Sequence, residues 1–114
     1  MASMSVKKTG EARQFDTGAQ RDSGEGKSRM SLVPHKALND VMQRYLAGAE
    51  AYGENNWKLG MKNSVLYDST MRHLMAFWTG DESEDHLGAA LWNIMGLIDN
   101  VDKRPDMDDR KEFE

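Results

Sequence analysis

The stretch SVLYDSTMRHLMAFWTGDESEDHLGAALWNIMGLI, residues 64–98, decides the fold. Large apolar residues recur in it at intervals of three and four, which is the period of an amphipathic helix. The pattern stops at Gly80, where an acidic turn separates two helical segments. Ser64 and Ser83 suit the N-caps of these segments, since serine hydroxyls accept hydrogen bonds from free helix N–H groups. We therefore predict two helices, the first ending at Gly80 and the second at about Asn100.

A further helix is predicted before this stretch. Pro34 favours a first helical turn, because its fixed backbone angle and missing N–H suit that position. Gly53 favours a helix end, since glycine enters the left-handed region without steric cost. The sequence thus predicts a helix from about His35 to Tyr52, followed by an asparagine-rich loop over residues 54–63. The apolar positions with helical spacing in this helix are Leu38, Val41, Met42, Tyr45, Leu46 and Ala49.

The two ends of the chain differ in composition from its helical middle. Residues 1–30 carry six basic and four acidic residues but few large apolar side chains, so they bury too little surface to offset the entropy of ordering. We predict a flexible arm at 1–30, a helical domain at 31–102 and a charged tail at 103–114. No alternating strand pattern or hairpin signal occurs, so the predicted fold class is all-α, a small bundle of three main helices.

The predicted bundle is small for the apolar surface that its helices present. Three helices of about 15 residues each leave wide apolar faces on a body of this size. The nine methionines and three tryptophans among 114 residues suit adaptable packing between subunits. We therefore predict that oligomerisation completes the bundle, most simply as a homodimer.

Composition also excludes several classes of protein. No apolar run approaches the ~20 residues that cross a bilayer, so no membrane partner is expected. The chain has no cysteine, which excludes a disulfide scaffold and thiolate metal sites and agrees with a cytoplasmic location. The net charge of −4 argues against a protein that coats a nucleic-acid polymer.

Asn56 and Trp57 stand out in the predicted loop after the first helix. A tryptophan ring in a polar loop offers a surface on which a base can stack, and a neighbouring amide can bind the edge of that base. The alternative is that Trp57 only plugs the end of the bundle. The sequence leaves both interpretations open.

Polar residues on the predicted second and third helices also allow two interpretations each. Arg72 either pairs with Asp68 four residues earlier or binds phosphate through its guanidinium. His73 is either a hydrogen-bonded core residue or a group that binds a ligand or accepts a proton. His86 and Asn93 share one helix face, where small neighbours allow close helix packing or make room for a ligand.

Acidic residues provide candidate metal ligands. Glu50 with Glu54, and Asp81 with Asp85, have the i, i+4 spacing at which carboxylates on a helix converge on Mg²⁺. The alternative for each pair is a solvated acidic face. No glycine-rich phosphate loop, zinc signature or serine triad pattern occurs in the sequence.

Four strings follow one another along the chain: GKSRMSLVP at Gly26–Pro34, GAEAYGENNW at Gly48–Trp57, RHLMAFWTGD at Arg72–Asp81 and EDHLGAALWN at Glu84–Asn93. In this order they resemble the N-terminal domain of the phage dATP/dGTP diphosphohydrolase family, over about residues 15–100. The resemblance implies a helical, phage-type protein related to MazG-like nucleotide pyrophosphohydrolases. Such a protein cleaves a purine deoxynucleoside triphosphate to the monophosphate and pyrophosphate with Mg²⁺.

The resemblance also marks residues of this chain, and with it the domain at 31–102 becomes a nucleotide-binding domain. The matching positions are Lys27, Arg29, Tyr52, Asn56, Trp57, Arg72, His73, Trp78, His86 and Asn93. We expect the nucleotide to be bound by Lys27, Arg29, Tyr52, Asn56, Trp57, Arg72 and Asn93. We expect His73 and His86 to be catalytic proton acceptors. The expected Mg²⁺ ligands are Glu50, Glu54, Glu84 and Asp85.

Two classes of function follow from these expectations, beside a purely structural or protein-binding role. In the first, the protein is a nucleotide hydrolase in the cytoplasm of a phage-infected host cell. In the second, the same basic and aromatic residues capture a nucleotide without cleaving it, for example a host signalling nucleotide in anti-defence. The resemblance favours hydrolysis. The incomplete set of paired acids, with Gly88 where a second acid would stand, favours capture.

Overall fold

A computed structural model describes residues 10–114 and divides the chain into two compact units at Val33/Pro34. The first unit holds a short antiparallel hairpin, β1 (Arg13–Gln14) and β2 (Gln20–Arg21), and a 3-10 turn at Met30–Leu32. The sequence did not predict this hairpin, because two residues per strand are too few to show alternation. The flexibility predicted for the arm stays a prediction, and its residues 1–9 lie outside the described part.

The second unit is helical, which confirms the all-α prediction for the main body of the chain. Its second main helix packs along the third, and the first packs against the third. A 3-10 helix occupies the predicted loop between the first two helices, and two short 3-10 turns follow the third. The elements are α1 (His35–Tyr52), the 3-10 helix Asn56–Leu59, α2 (Asn63–Trp78), α3 (His86–Lys103) and the turns Pro105–Met107 and Arg110–Phe113.

Both predicted serine caps are wrong. At the start of α2, the backbone N–H of Ser64 donates to Asp109 Oδ1 over 2.9 Å, and the Ser64 hydroxyl donates to the same carboxylate. The cap therefore comes from the C-terminal segment rather than from Ser64 itself. At the start of α3, Asp85 is the N-cap, and its Oδ1 accepts a 3.0 Å hydrogen bond from Gly88 N. Ser83 instead donates its backbone N–H to Asp81 Oδ1.

The apolar core of the helical unit is small. Its fully buried apolar residues in the described chain are Val41 on α1, Leu66 on α2, and Ala89 and Ala90 on α3. Gly96 lets α3 approach α2 closely, since a Cβ there would lie 3.2 Å from Leu66 Cδ1. Among residues 10–114, no helix is long and apolar enough to cross a lipid bilayer.

Helices α2 and α3 carry many large apolar side chains that the core does not cover. Their exposure agrees with the surplus of apolar surface predicted from the sequence. Oligomerisation itself stays a prediction. The large exposed apolar residues of these two helices are Val65, Tyr67, Met71, Leu74, Met75, Phe77, Trp78, Leu87, Ile94, Met95, Ile98 and Val101.

Candidate functional site

An open pocket of about 820 Å³ lies between α1, the 3-10 helix, α2 and α3. Its volume falls in the range of about 300–1,000 Å³ that is typical of small-molecule sites. Three helices and a short loop contribute to its wall, so residues from distant parts of the sequence meet there. The predicted site residues that line it are Tyr52, Glu54, Asn56, Trp57, Arg72, His73 and Asn93.

An aromatic cluster forms one wall of the pocket. The ring of Tyr45 lies 6.0 Å from that of Trp57 in an edge-on arrangement and 5.7 Å from that of Trp92. Trp57 is half-buried, so it packs on Tyr45 while also lining the pocket. Trp57 thus packs within the helical unit and also lines the pocket, and base stacking on its ring stays a prediction. Tyr45 and Trp92 were not predicted as site residues, because their positions fit ordinary helix packing.

The loop that carries Trp57 is fixed to α3 by hydrogen bonds. The Arg104 guanidinium donates to the carbonyl oxygen of Leu59 over 2.8 Å. The Asn100 amide donates to the carbonyl oxygen of Met61 and to Asn63 Oδ1, both over 2.9 Å. These contacts hold the loop from both sides of Gly60. The aromatic wall therefore rests on a braced support rather than on a free loop.

Two histidines and an aspartate form a hydrogen-bonded chain at the edge of the pocket. His86 is buried, and its Nε2 lies 3.1 Å from Asp81 Oδ2. Its Nδ1 lies 2.9 Å from Nδ1 of His73, which lines the pocket. A carboxylate only accepts hydrogen bonds, so neutral His86 carries its proton on Nε2 and accepts at Nδ1. His73 then donates from Nδ1, which leaves its Nε2 as a free acceptor.

The surroundings of this hydrogen-bonded chain shift the pKa values of two of its members, His73 and Asp81. Burial lowers the pKa of His73 below its ordinary 6.5, and His86, Arg44 and Arg72 add to this effect, whereas Glu84 opposes it. The pKa of Asp81 is also lowered, first by hydrogen bonds from Ser83 and then by His86. At neutral pH this hydrogen-bonded chain therefore combines a neutral His73 with the charged carboxylate of Asp81. This arrangement suits proton acceptance or metal binding.

The turn between α2 and α3 is held to α1 by Arg44. Its guanidinium donates to Glu84 Oε1 and to the carbonyl oxygen of Asp85, both over 3.1 Å. Asp85 is occupied as the N-cap of α3. A Cβ at Gly88 would overlap the Asp85 carboxylate, so no second acid fits at that position while Asp85 caps the helix. This explains why a glycine stands where a second acid was expected.

The cations predicted for phosphate binding have different surroundings. Arg72 lines the pocket and forms no ion pair among residues 10–114, so the alternative interpretation, a pair with Asp68, is not present. Lys27 and Arg29 belong to the first compact unit, where Lys27 Nζ lies 3.5 Å from Asp22. Their predicted role in nucleotide binding stays a prediction.

The predicted metal ligands do not come together as one carboxylate group within the described residues. Glu54 lines the pocket, whereas Glu50, Glu84 and Asp85 do not. The side chains that do form a group able to hold a metal ion are His73, Glu84 and His86, whose ligand atoms lie within 4.8 Å of one another. This mixed set does not fit Mg²⁺, which prefers oxygen ligands. Sequence reasoning missed it because the three residues lie on two helices and a turn.

Asn93 is buried in the pocket wall. Its Nδ2 donates to the carbonyl oxygen of Ala89 over 2.8 Å, one turn earlier on α3. This hydrogen bond fixes the orientation of the amide and leaves Oδ1 available as an acceptor. Asn93 therefore serves close packing and lines the pocket at the same time, so its two interpretations do not exclude each other.

Comparison with known proteins gives a family for this chain. Residues 17–110 match the model of the dATP/dGTP diphosphohydrolase N-terminal family. A protein named dATP/dGTP diphosphohydrolase from Salmonella phage PMBT28 is 29% identical over 103 residues, covering 83% of this chain and 33% of that protein. The chain thus spans about a third of the length of this curated relative. No solved structure matches it significantly. The chain belongs to the dATP/dGTP diphosphohydrolase N-terminal family.

Proposed function

From this membership we propose that the chain is a phage nucleotide hydrolase that binds a purine deoxynucleoside triphosphate and cleaves it to the monophosphate and pyrophosphate. One observation carries the proposal: a single pocket is lined by an aromatic wall, by Arg72, which forms no ion pair within residues 10–114, and by a histidine in a hydrogen-bonded chain. Groups of these kinds can bind a base, bind phosphate and activate water. The name of the phage relative supports the same activity.

The base is assigned to the aromatic wall. Trp57 presents a ring that Tyr45 supports from the edge, so a purine can stack on a surface that is already ordered. Base stacking on an aromatic side chain is worth about 1–3 kcal/mol. The amides of Asn56 and Asn93 line the same pocket and can hydrogen-bond the edge of the base or the sugar.

The phosphates are assigned to Arg72, whose guanidinium donates in a fork that matches phosphate oxygens. Lys27 and Arg29 belong to the first compact unit and stay predicted phosphate contacts. Mg²⁺ is proposed to arrive bound to the triphosphate, since it is commonly held by substrate phosphates with one or two carboxylates. Glu54, the predicted metal ligand that lines the pocket, is the candidate protein contact for such an ion.

The proposed reaction is attack of water on the α-phosphorus of the nucleotide. A new bond forms between the water oxygen and the phosphorus, and the bond from that phosphorus to the bridging oxygen breaks. Pyrophosphate leaves with the electron pair. In this proposal, one water proton passes to Nε2 of His73. His73 and His86 are the residues proposed to activate this water.

Capture of a nucleotide without cleavage is the second candidate. It is favoured by one observation, namely that the predicted carboxylates do not form a metal-binding group in the part of the chain that is described. The same aromatic and basic residues would then hold the nucleotide, for example a host signalling nucleotide.

The test is incubation of the purified protein with each of the four dNTPs and Mg²⁺, followed by separation of the products. Appearance of dAMP or dGMP with an equal amount of pyrophosphate is expected. Trp57→Ala should weaken nucleotide binding by about 5- to 150-fold, which corresponds to the loss of one stacking contact. Trp78→Ala is the matched control, because Trp78 is 84% exposed and does not line the pocket.

The outcomes separate the two candidates. Nucleotide that binds but is recovered intact after hours would contradict hydrolysis and favour capture. Equal affinity of the wild type and Trp57→Ala, with both proteins folded by circular dichroism, would remove the aromatic wall from the proposal.

A further inference from the structure

We infer that His73, His86 and Glu84 bind one divalent first-row transition-metal ion, of the Zn²⁺ or Co²⁺ type, at the edge of the pocket. The site itself stands on the arrangement of these side chains. Its part in turnover rests on the proposed function. Held by the two histidines, the ion would activate water, and neither histidine would need to act as a free base.

The ligand set points to this class of ion. Two imidazoles and one carboxylate suit Zn²⁺, Co²⁺, Fe²⁺ or Ni²⁺, whereas Mg²⁺ and Ca²⁺ select oxygen ligands. Three protein ligands also leave at least one position for water or a phosphate oxygen, as in catalytic rather than structural zinc sites. His73 lines the pocket, so that position can be reached by a bound nucleotide.

The distances allow an ion to be held with little rearrangement. The three ligand atoms lie within 4.8 Å of one another. Since each metal–ligand bond is about 2.0–2.2 Å, two ligands of one ion stand at most about 4.3 Å apart, and side-chain movements on the order of 1 Å close the group. Glu84 lies on the exposed turn before α3, so its carboxylate has room for this movement.

The contact between the histidines is the place that the ion would occupy. The two Nδ1 atoms lie 2.9 Å apart and share one proton. A metal ion would replace this proton between the two nitrogens, because a histidine ligand must be unprotonated at the coordinating atom. His73 stays neutral by carrying its proton on Nε2 instead, so no charge is created on the ring.

The proposed ligands are hydrogen-bonded to neighbouring residues in the way that is usual for histidine metal ligands. His86 is 7% exposed, and its other ring nitrogen, Nε2, is hydrogen-bonded to Asp81. A carboxylate in this position fixes the tautomer and orientation of a ligating imidazole. Arg44 binds Glu84 Oε1, which orients that carboxylate and leaves Oε2 for an ion. Asp81 and Arg44 are therefore positioning residues rather than ligands.

The experiment measures metal binding without nucleotide. Protein stripped with EDTA and dialysed is titrated with Co²⁺, whose visible absorption reports histidine coordination, and with Zn²⁺ in competition. One ion per chain is expected, with no comparable uptake of Mg²⁺. His73→Gln should abolish the stoichiometric Co²⁺ spectrum, and Glu84→Gln should weaken binding at least tenfold. Asp81→Asn should weaken it by about 10- to 100-fold while the ligands remain.

Matched controls separate this site from surface binding. His35→Gln removes the remaining histidine, and Glu82→Gln removes a neighbouring exposed carboxylate of the same turn. Both variants should bind Co²⁺ like the wild type. Circular dichroism checks the fold of every variant, and Glu84→Gln keeps the test valid if a histidine variant unfolds, because Glu84 is exposed.

The outcomes distinguish the metal site from the proposed function. The site would be overturned if the wild type failed to take up one Co²⁺ or Zn²⁺ ion. It would also be overturned if metal uptake were unchanged both in Glu84→Gln and in a folded His73→Gln. Metal uptake without any dNTP cleavage would keep the site and overturn the hydrolase proposal. Cleavage by stripped protein in Mg²⁺ alone, unaffected by added Zn²⁺, would keep the hydrolase and overturn the role of the ion.

Discussion

Two polar clusters connect α2 to its neighbours, one near each end of the helix. They differ in how many of their hydrogen-bonding groups have a partner within the protein. At the N-terminal end, Asn100 bonds Met61 and Asn63, and Asp109 caps the helix through Ser64. Residues Asn63, Asn100 and Asp109 are all buried. Polar groups that satisfy one another away from solvent hold a structure together, and their hydrogen-bonding capacity is taken up within the protein.

At the C-terminal half of α2 the polar groups are incompletely used. His73 retains a ring nitrogen, Glu84 retains an oxygen, and Arg72 has no ion pair within residues 10–114. These groups lie beside an open pocket instead of in a closed network. Burial of polar residues therefore does not by itself mark a candidate site. Unused hydrogen-bonding capacity next to a cavity is the better indicator.

The largest effect is expected at the open cluster. Arg72→Ala should weaken binding of a purine dNTP by about 10- to 150-fold, because a charge-assisted hydrogen bond contributes about 1.5–3 kcal/mol. Isothermal titration calorimetry measures this change, and the melting temperature should stay close to that of the wild type. Lys36→Ala is the control, since it removes one positive charge outside the pocket. Equal losses in the two variants would mean that Arg72 acts only through net charge.

The closed cluster should respond in the opposite way. Asn100→Ala leaves the Met61 carbonyl oxygen and Asn63 Oδ1 without their donor, which should cost about 1–3 kcal/mol of unfolding free energy. Urea denaturation measures this loss. Asn39→Ala, at an exposed position of α1, should leave stability nearly unchanged. If Asn100→Ala proved as stable as the wild type, the closed cluster would not be a stabilising element.

The smallest effect concerns pH and the cap on α2. Hydrogen bonds from Ser64 lower the pKa of Asp109 below its ordinary 3.8. The folded state therefore favours the charged carboxylate, so this contribution to stability is present above pH 3.8 and is lost as the pH falls towards the folded pKa. Asp109→Asn should be less stable than the wild type at pH 7, and the difference should shrink in acid. A difference that did not change with pH would contradict the ionic character of this cap.

The helices were largely predictable from the sequence, whereas their ends were not. The predicted limits of α1 agree with the structure, because apolar spacing, Pro34 and Gly53 all act within one helix. The caps of α2 and α3 were assigned to the wrong residues. Asp109 reaches Ser64 from 45 residues away, and no local pattern shows such a contact.

The candidate site divides in the same way. Motif resemblance marked Tyr52, Asn56, Trp57, Arg72 and Asn93, which the fold brings to one pocket. Tyr45 and Trp92 were not predicted as site residues, since each occupies an ordinary helical position. They belong to the aromatic wall only because the fold places their rings side by side. The acids were grouped by spacing, but spacing on one helix does not determine which side chains meet across a turn.

The sequence by itself determined the all-α class, the three main helices, the family and seven of the residues that line the pocket. These properties depend on local periodicity and on short motifs, both of which are written in consecutive residues. The tertiary structure alone decided that His86 meets both His73 and Asp81, and that Arg44 binds Glu84. These contacts depend on how α1, α2 and α3 pack, and helix packing is set by the combined burial of all three apolar faces.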